Sequence, residues 1–199
     1  MNKVLLVETS PRGNDSLSRK AGRLIIERLK ARGAIHLTTR DLQSDSIPHV
    51  DAVKMLAYFT PADQLTPAQR DTLALSDQLT EEVLSVDTIV ISTPMWNFSL
   101  PSVLKAWVDH IVRAGKTFKF GPNGLEGMLK GKKIYVATSS GSVFSSGPFQ
   151  AYDHVGPYLK AVFGFMGATE VTIIRIEGTN SPDVAAEALK KAMTAIESI

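Results

Sequence analysis

The sequence predicts an α/β protein with a parallel sheet, because short apolar runs alternate with amphipathic helical segments along the whole chain. Two further observations support this class. Of the 199 residues, 44% are hydrophobic, which is enough for one core, and no repeat or low-complexity segment interrupts the alternation. A chain of this length is expected to form a single domain over residues 1–199.

Five apolar runs predict strands, and the segments between them repeat apolar residues at helical spacing. The predicted strands cover residues 3–8, 34–40, 88–92, 132–138 and 169–176. The predicted helices cover residues 17–31, 66–84, 102–113, 150–166 and 182–198. We expect residues 41–61 to be irregular and Gly156-Pro157 to break or kink the fourth helix.

Composition excludes or disfavours several classes of protein. The formal net charge is only +2, with basic and acidic residues interleaved, which argues against nucleic-acid binding. The absence of cysteine excludes disulfides, thiolate metal sites and cysteine nucleophiles. The first apolar run is too short for a signal peptide, and no run approaches the roughly 18 residues that span a bilayer. We therefore expect a cytoplasmic protein without membrane association.

The loop after the third predicted strand is unusually apolar. Residues 94–101 read PMWNFSLP, so a connection that is normally short and polar carries two aromatic rings between two prolines. In parallel α/β sheets, ligands bind outside the carboxyl ends of the strands. The loop is therefore interpreted as a rigid wall for a flat, apolar ligand.

The loop after the first strand is rich in hydroxyls and leads directly into a helix. Residues 9–20 read TSPRGNDSLSRK, and the free N–H groups and dipole of a helix N-terminus attract phosphate. Ordinary helix capping explains its Ser and Asp residues equally well. The loop matches neither GxGxxG nor the Walker pattern. Further hydrogen bonds or charge could come from Ser10, Ser16, Ser18, Arg12, Arg19 and Lys20.

The loop after the fourth strand consists mainly of small residues. Residues 139–147 read SSGSVFSSG, which lets the backbone approach a flat ligand closely, although a flexible polar loop is the alternative. Together the three loops offer a phosphate site, an aromatic wall with the Asn97 amide, and backbone amides beside a glycine. A flavin mononucleotide would use all three.

Four segments carry a family resemblance over essentially the whole chain. They are KVLLVETSPRGNDSLSRK at 3–20, PMWNFSLPSVLKAWVDHI at 94–111, TFKFGPNGLEGMLKGKK at 117–133 and GPYLKAVFGFMG at 156–167. The sequence resembles the bacterial FMN-dependent NADH azoreductases, also called FMN-dependent NADH:quinone oxidoreductases, of the flavodoxin-like superfamily. The resemblance implies a three-layer α/β/α sandwich with a five-stranded parallel sheet of order 2-1-3-4-5. It also implies FMN as cofactor and NADH or NADPH as electron donor.

The resemblance assigns cofactor contacts by position. It implies that the FMN phosphate is held by Ser10, Ser16, Leu17 and Ser18. It implies that the ring and ribityl chain are flanked by Met95, Trp96, Asn97 and Phe98. The far edge of the ring is expected to contact Ser139, Ser140, Gly141 and Ser142. Two positions depart from the usual pattern, because Trp96 stands where Tyr is frequent and Ser142 where Gly is common.

The implied reaction is a two-electron, ping-pong hydride transfer through the flavin to quinones and azo compounds. Because the flavin carries the chemistry, no side chain is nominated as catalytic. No metal is expected, since the histidines have no convincing metal-ligand spacing. Among His36, His49, His110 and His154, only His154 is considered a candidate to face the pocket.

Aromatic residues outside the main motifs are candidates for an acceptor pocket, with core packing as the alternative. They are Tyr58, Phe59, Phe118, Phe120, Phe144 and Phe163. In the resembling family this pocket forms between two subunits, which implies a homodimer with active sites at the interface.

Other functions remain open from sequence alone. A flavodoxin-type electron carrier is usually strongly acidic for docking, whereas this chain is slightly basic. A related reductase for nitroaromatics or chromate differs mainly in its acceptor pocket, and a flavin-free interaction protein would retain only the fold. The choice between NADH and NADPH is also open, because Arg12 and residues 116–119 could contact a 2′-phosphate.

Overall fold

A computed structural model describes residues 1–199 of the chain. The strands are β1 Asn2–Glu8, β2 Ile35–Asp41, β3 Thr88–Pro94, β4 Phe118–Gly121, β5 Gly124–Gly127, β6 Lys133–Ser139 and β7 Glu170–Ile176. The helices are α1 Leu17–Arg32, α2 Ala52–Phe59, α3 Pro67–Ser85, α4 Ser102–Ile111, α5 Gly156–Phe165 and α6 Pro182–Glu197. None of these helices combines the length and apolar character that crossing a membrane requires.

Five strands form one parallel sheet in the order β2-β1-β3-β6-β7. Counting only these five in chain order, the arrangement is 2-1-3-4-5, so the predicted topology is confirmed. Helices α1 and α6 pack on one face of the sheet, and α3, α4 and α5 pack on the other. The result is the predicted three-layer α/β/α sandwich.

The central strands are buried because both faces of the sheet are covered. Residues 4–7 of β1 and 89–91 of β3 are continuous runs of Val, Leu and Ile, each at most 4% exposed. Continuous rather than alternating apolar character is expected for a strand buried on both faces. The register pairs Glu8 with Ser92 and Pro94 with Ser139, so the carboxyl ends of β1, β3 and β6 meet at one edge.

Helix α2 lies in the region that was expected to be irregular, so that prediction is wrong. The helix is capped by Asp51, whose side chain accepts a 2.8 Å hydrogen bond from the Lys54 N–H. Its apolar residues Val53, Leu56 and Phe59 are 61, 65 and 78% exposed. Because these residues point away from the core, the usual pattern of one buried apolar stripe does not describe this helix.

Two further elements differ from the sequence predictions. A short antiparallel hairpin of β4 and β5, absent from the predictions, follows α4, and its strands are too short for a periodic signal. The segment predicted as one helix over 150–166 is a 3₁₀ turn, Gln150–Tyr152, followed by α5. The Asp153 carboxylate accepts the N–H groups of Val155 and Gly156, and α5 begins at Gly156-Pro157. Of the two predicted effects of this pair, the structure therefore shows a break and not a kink.

Candidate functional site

A cleft of about 160 Å³ lies at the carboxyl edge of the sheet, where the loops after β1, β3 and β6 converge. It is lined by Ser10, Arg12, Ser16, Leu17, Pro94, Met95, Trp96, Ser139, Ser140, Gly141, Thr179 and Asn180. The structure therefore brings residues from all three predicted loops into one site. A small cleft between the carboxyl ends of parallel strands is the expected binding position in this class of fold.

The loop after β1 presents backbone donors to this cleft. Ser16 is the N-cap of α1, and its hydroxyl accepts from the Arg19 N–H at 3.3 Å and lies 3.0 Å from the Ser18 hydroxyl. The first two N–H groups of the helix, those of Leu17 and Ser18, have no acceptor within the helix. The Ser10 N–H is also without a protein acceptor. The Ser16 and Ser18 hydroxyls thus hold the turn, while the unpaired N–H groups of Ser10 and Leu17, two residues that line the cleft, are available to an anion.

Arg19 does not add charge to this cleft, which corrects one expectation for the loop. Its guanidinium turns inward, 2.8 Å from a Glu8 carboxylate oxygen and 2.7 Å from both oxygens of Asp41. Burial raises the pKa of Asp41, but the hydrogen bonds from Arg19 and the Gln43 N–H outweigh it, so the pKa lies below its ordinary value. Arg12 is instead the basic residue at the cleft, and Lys20 is exposed outside it.

The aromatic loop after β3 contains a tight two-residue turn. Trp96 and Ser99 exchange backbone hydrogen bonds of 3.0 and 2.9 Å, and the residues between them, Asn97 and Phe98, have φ angles of +47° and +69°. Positive φ at both central positions is the pattern of a type I′ turn, which favours Asn and Gly. Phe98 has no such preference, so its backbone is strained, and strain of this kind is concentrated at functional sites.

A cluster of four aromatic side chains supports that turn. The Phe98 ring lies 5.3 Å from the Tyr152 ring and 6.1 Å from the Phe144 ring, and the Phe149 ring lies beside both of these neighbours. Phe144 is buried, whereas Trp96 and Phe98 are 45 and 47% exposed. The turn therefore holds aromatic surface open to solvent, beside a cluster in which Phe144 is the buried ring.

The loop after β6 has occupied carbonyls but retains backbone donors without a protein acceptor. The Ser139 carbonyl accepts from the Met95 N–H at 2.8 Å, and the Ser140 carbonyl accepts from both the N–H and the hydroxyl of Thr179. The N–H groups of Gly141 and Ser142 have no acceptor in the protein. Backbone amides in this state can donate to the polar edge of a ring.

Thr179 and Asn180 were not predicted from the sequence as site residues. They follow β7, and backbone bonds to Ser140 and Gly141 hold them at the cleft. A β-carbon on Gly141 would lie 2.5 Å from the Asn180 side-chain oxygen, so glycine permits this close approach. The signal was present in the topology, since β7 neighbours β6 and its loop must emerge at the same edge.

The remaining predicted residues lie in different places. Asn97 lines a second cleft of about 510 Å³, which adjoins the first at Trp96 and is also lined by His49, Lys105 and Tyr158. Ser18 is completely buried and Ser142 is half-buried, and neither is among the residues that line the first cleft.

The aromatic pocket candidates are dispersed. Phe59 and Phe120 project from the surface, 78 and 75% exposed, and Phe118 packs between Phe120 and Phe165. Phe163 is completely buried in the core, with its ring 6.4 Å from that of Trp107. Phe163 therefore does not line an acceptor pocket, and its role is packing.

Two of the histidines have defined environments. His110 is completely buried, with its Nε2 2.9 Å from the Pro48 carbonyl and its Nδ1 3.5 Å from the Tyr58 hydroxyl. Burial is the main cause of its lowered pKa. His154 is exposed and does not line the cleft, but its backbone N–H donates to the Phe98 carbonyl at 3.1 Å. His154 thus helps to hold the aromatic turn through its backbone, and His110 is a packed residue of the fold.

The chemistry of these groups fits FMN. Open backbone N–H groups at the start of α1 suit a phosphate, and those of Gly141 and Ser142 suit the polar edge of a heterocycle. Between them, Met95 and Trp96 offer apolar surface to the ribityl chain and ring. A ligand with an anionic end and a planar ring would thus meet matching groups along its length.

Comparisons with known proteins agree with this geometry. The flavodoxin-like fold family matches residues 2–199. The chain is 46% identical to the FMN-dependent NADH:quinone oxidoreductase of Herminiimonas arsenicoxydans, over 97% of this chain and 94% of that protein. It is 43% identical to the protein of the same name from Agrobacterium fabrum strain C58, over 99 and 95% of the two chains.

Solved structures give the same result. Azoreductase from Bacillus anthracis str. Sterne superposes with a TM-score of 0.89 at 28% identity, covering 100% of both chains. The FMN-dependent NADH-azoreductase from B. anthracis str. Ames Ancestor, in complex with FMN, superposes with a TM-score of 0.86 at 28% identity, covering 100 and 99%. The chain therefore belongs to the flavodoxin-like family of bacterial FMN-dependent NADH:quinone oxidoreductases and azoreductases.

Proposed function

We propose that this protein is an FMN-dependent NAD(P)H oxidoreductase that reduces quinones and azo compounds in two successive half-reactions at one site. The observation that carries the proposal is that three features meet in one cleft: the hydroxyl-rich loop after β1, Trp96 of the aromatic turn, and the open amide of Gly141. Relatives over nearly the whole chain are named FMN-dependent NADH:quinone oxidoreductase, and the B. anthracis neighbours are azoreductases. A cytoplasmic location is part of the same proposal, because NADH and NADPH are available there.

The protein's own residues bind and orient the cofactor. The N–H groups of Ser10, Leu17 and Ser18 hold the phosphate, Met95 and Trp96 cover the ribityl chain and ring, and Gly141 and Ser142 donate to the ring edge. Bound FMN supplies the hydride and electron-transfer chemistry. Asn97 is placed by its turn to add an amide contact, and the apolar surface around Trp96 excludes water.

The acceptor is expected beside Trp96. The second cleft adjoins the flavin cleft there, and its volume of about 510 Å³ is in the range of small-molecule sites. Asn97 and Tyr158 offer polar groups to a quinone or azo compound, while Trp96 and Leu100 offer apolar surface.

The proposed assembly is a homodimer with active sites at its interface. Exposed apolar side chains lie on α2 and on or beside the β4–β5 hairpin, and together we call them the α2–hairpin surface: Val53, Met55, Leu56, Phe59, Phe120, Leu125 and Met128. Exposed apolar residues on this scale favour burial against another chain. Phe59 and Phe120 would then extend toward the partner subunit's cleft.

A pair of matched variants tests the dimer. Met55→Glu places a charge on the α2–hairpin surface, whereas Met193→Glu places one on α6; the two methionines are 47 and 43% exposed. Sedimentation velocity should show a dimer for the wild type and Met193→Glu, and a monomer for Met55→Glu. A monomeric wild type at micromolar concentration, or equal behaviour of the two variants, would contradict the proposed interface.

Steady-state kinetics test the reaction. With NADH and menadione varied together, two half-reactions at one site predict parallel double-reciprocal lines, while lines that intersect would require both substrates to bind at once. Protein that binds FMN but turns over neither NADH nor NADPH would be an electron carrier, and the proposal would fail.

A further inference from the structure

Arg19 is a buried cation beside the cleft, and nothing in the cofactor assignment uses it. The residue is 5% exposed, and its guanidinium makes four hydrogen bonds. Three of them go to the carboxylates of Glu8 and Asp41, at the carboxyl ends of β1 and β2. The fourth runs from its Nε to the Ser10 carbonyl at 2.9 Å.

The bond to Ser10 fixes a peptide plane that has no other anchor. The Ser10 carbonyl belongs to the peptide bond with Pro11, and proline has no N–H to donate. Arg19 provides the only hydrogen bond to that carbonyl. Rotation of this peptide would move Ser10 relative to the unpaired N–H groups of Leu17 and Ser18, since a short loop joins Ser10 to the start of α1.

The charge of Arg19 is neutralised on its inner side. Glu8 and Asp41 surround the guanidinium, and Asp41 binds it through both carboxylate oxygens. The planar fork of arginine can engage these carboxylates and the Ser10 carbonyl together, whereas a lysine ammonium cannot reproduce that geometry. Arg19 therefore acts on the loop through hydrogen-bond geometry, not by direct attraction of an anion.

We infer that Arg19 is a positioning residue for the phosphate site, holding the Ser10–Pro11 peptide in place so that the N–H groups of Ser10, Leu17 and Ser18 converge. This inference rests on the proposed binding of FMN. The buried ion pairs of Arg19 with Glu8 and Asp41 would then contribute to cofactor selectivity as well as to the stability of the fold. The binding energy that depends on Arg19 is the part contributed by the phosphate.

The test compares FMN with riboflavin, which has the same ring and lacks the phosphate. Dissociation constants for both are measured by fluorescence quenching with the wild type, Arg19→Lys and Arg40→Lys. Arg40 is the matched control, because its Nε binds Glu82 at 2.7 Å in a similar ion pair away from the cleft. Arg19→Lys should weaken FMN binding about tenfold or more, the value of a charge-assisted hydrogen bond, and riboflavin binding much less.

The ratio of the two dissociation constants is the decisive quantity. Arg40→Lys should leave the ratio at its wild-type value. Equal weakening of FMN and riboflavin by Arg19→Lys would reduce Arg19 to a general structural role, and an unchanged FMN affinity would also overturn the inference. A wild type that binds neither compound would instead refute the proposed function.

A second variant keeps the test informative should Arg19→Lys not fold. Asp41→Asn weakens the bidentate grip on the guanidinium but leaves Arg19 and Ser10 intact, and Asp41 is only partly buried. It should shift the ratio in the same direction by a smaller factor. An unchanged ratio in Asp41→Asn would count against Arg19 as a positioning residue.

Discussion

The backbones of Trp96 and Ser99 exchange two hydrogen bonds, of 3.0 and 2.9 Å, and so force Asn97 and Phe98 into left-handed conformations. These two hydrogen bonds fix the position of the aromatic wall of the cleft, although the turn is not part of a helix or a sheet strand. Asn97 therefore contributes in two ways: its backbone forms part of the turn, and its side-chain amide is available to a ligand.

Variants of Asn97 should separate these two contributions. Glycine adopts positive φ without cost, so Asn97→Gly should retain the turn, while Asn97→Ala should be less stable than Asn97→Gly by about 1–2 kcal/mol. Both lose the amide, so both should bind FMN more weakly than the wild type. Urea denaturation and flavin titration measure the two effects. Equal stability of the two variants would show that the turn relaxes.

Gly22 on α1 allows that helix to lie directly on Ser92 of β3. A β-carbon at position 22 would be 1.8 Å from the Ser92 Oγ. Alanine gains about 1 kcal/mol in helix propensity, but the overlap should outweigh it, so Gly22→Ala should lower the free energy of unfolding by about 1–3 kcal/mol. Urea denaturation measures the change.

Two further variants serve as controls for Gly22→Ala. Gly164 lies in α5, and a β-carbon added there would meet no atom within 4 Å, so Gly164→Ala should stabilise the protein by up to about 1 kcal/mol. The Ser92 hydroxyl has no hydrogen-bond partner, so adding Ser92→Ala should restore part of the stability lost in Gly22→Ala. A Gly22→Ala protein as stable as the wild type would contradict the packing described.

Gly141→Ala should affect the cleft more than the fold. The atoms nearest to the new β-carbon would be those at the end of the exposed Asn180 side chain, which can move, so the free energy of unfolding should change by less than about 0.5 kcal/mol. The displaced Asn180 should weaken FMN and riboflavin equally, because this loop contacts the ring and not the phosphate. Adding Asn180→Ala should recover affinity, and additive losses would exclude the contact.

Stability should depend on pH through His110. Burial, with smaller effects of Lys54 and Arg113, lowers the pKa of His110 despite the hydrogen bond to the Pro48 carbonyl, so the folded protein binds fewer protons than the unfolded chain. The free energy of unfolding should therefore fall as pH decreases below about 6.5, the ordinary value of histidine. Urea denaturation between pH 8 and pH 5, roughly spanning that value, should give a flatter profile for His110→Gln. Parallel profiles would exclude His110 as the source.

The sequence predicts the fold well because the apolar pattern of each predicted strand and helix reflects which of its residues are buried. Helix α2 could not be predicted in this way, because its apolar residues Val53, Leu56 and Phe59 are exposed in the single chain. The hairpin of β4 and β5 could not be predicted either, because strands of four residues are too short to show a periodic apolar pattern.

The candidate site shows a similar division. The three loops were predictable, since the ends of adjacent parallel strands must meet at one edge. The direction of Arg19 was not, because the carboxylates that turn it inward, Glu8 and Asp41, come from two different strands. From sequence alone, a basic residue next to the hydroxyl-rich loop after β1 looks like a contact to the phosphate. Only the folded structure shows that its partners are carboxylates of the protein.

The most direct measurement is an anaerobic visible spectrum of the FMN-reconstituted protein, recorded before and after NADH and again after menadione. We predict that NADH bleaches the flavin band near about 450 nm and that menadione restores it, because both half-reactions use the same flavin. A bound flavin that neither NADH nor NADPH reduces would contradict the proposed oxidoreductase and favour an electron carrier that requires a protein partner.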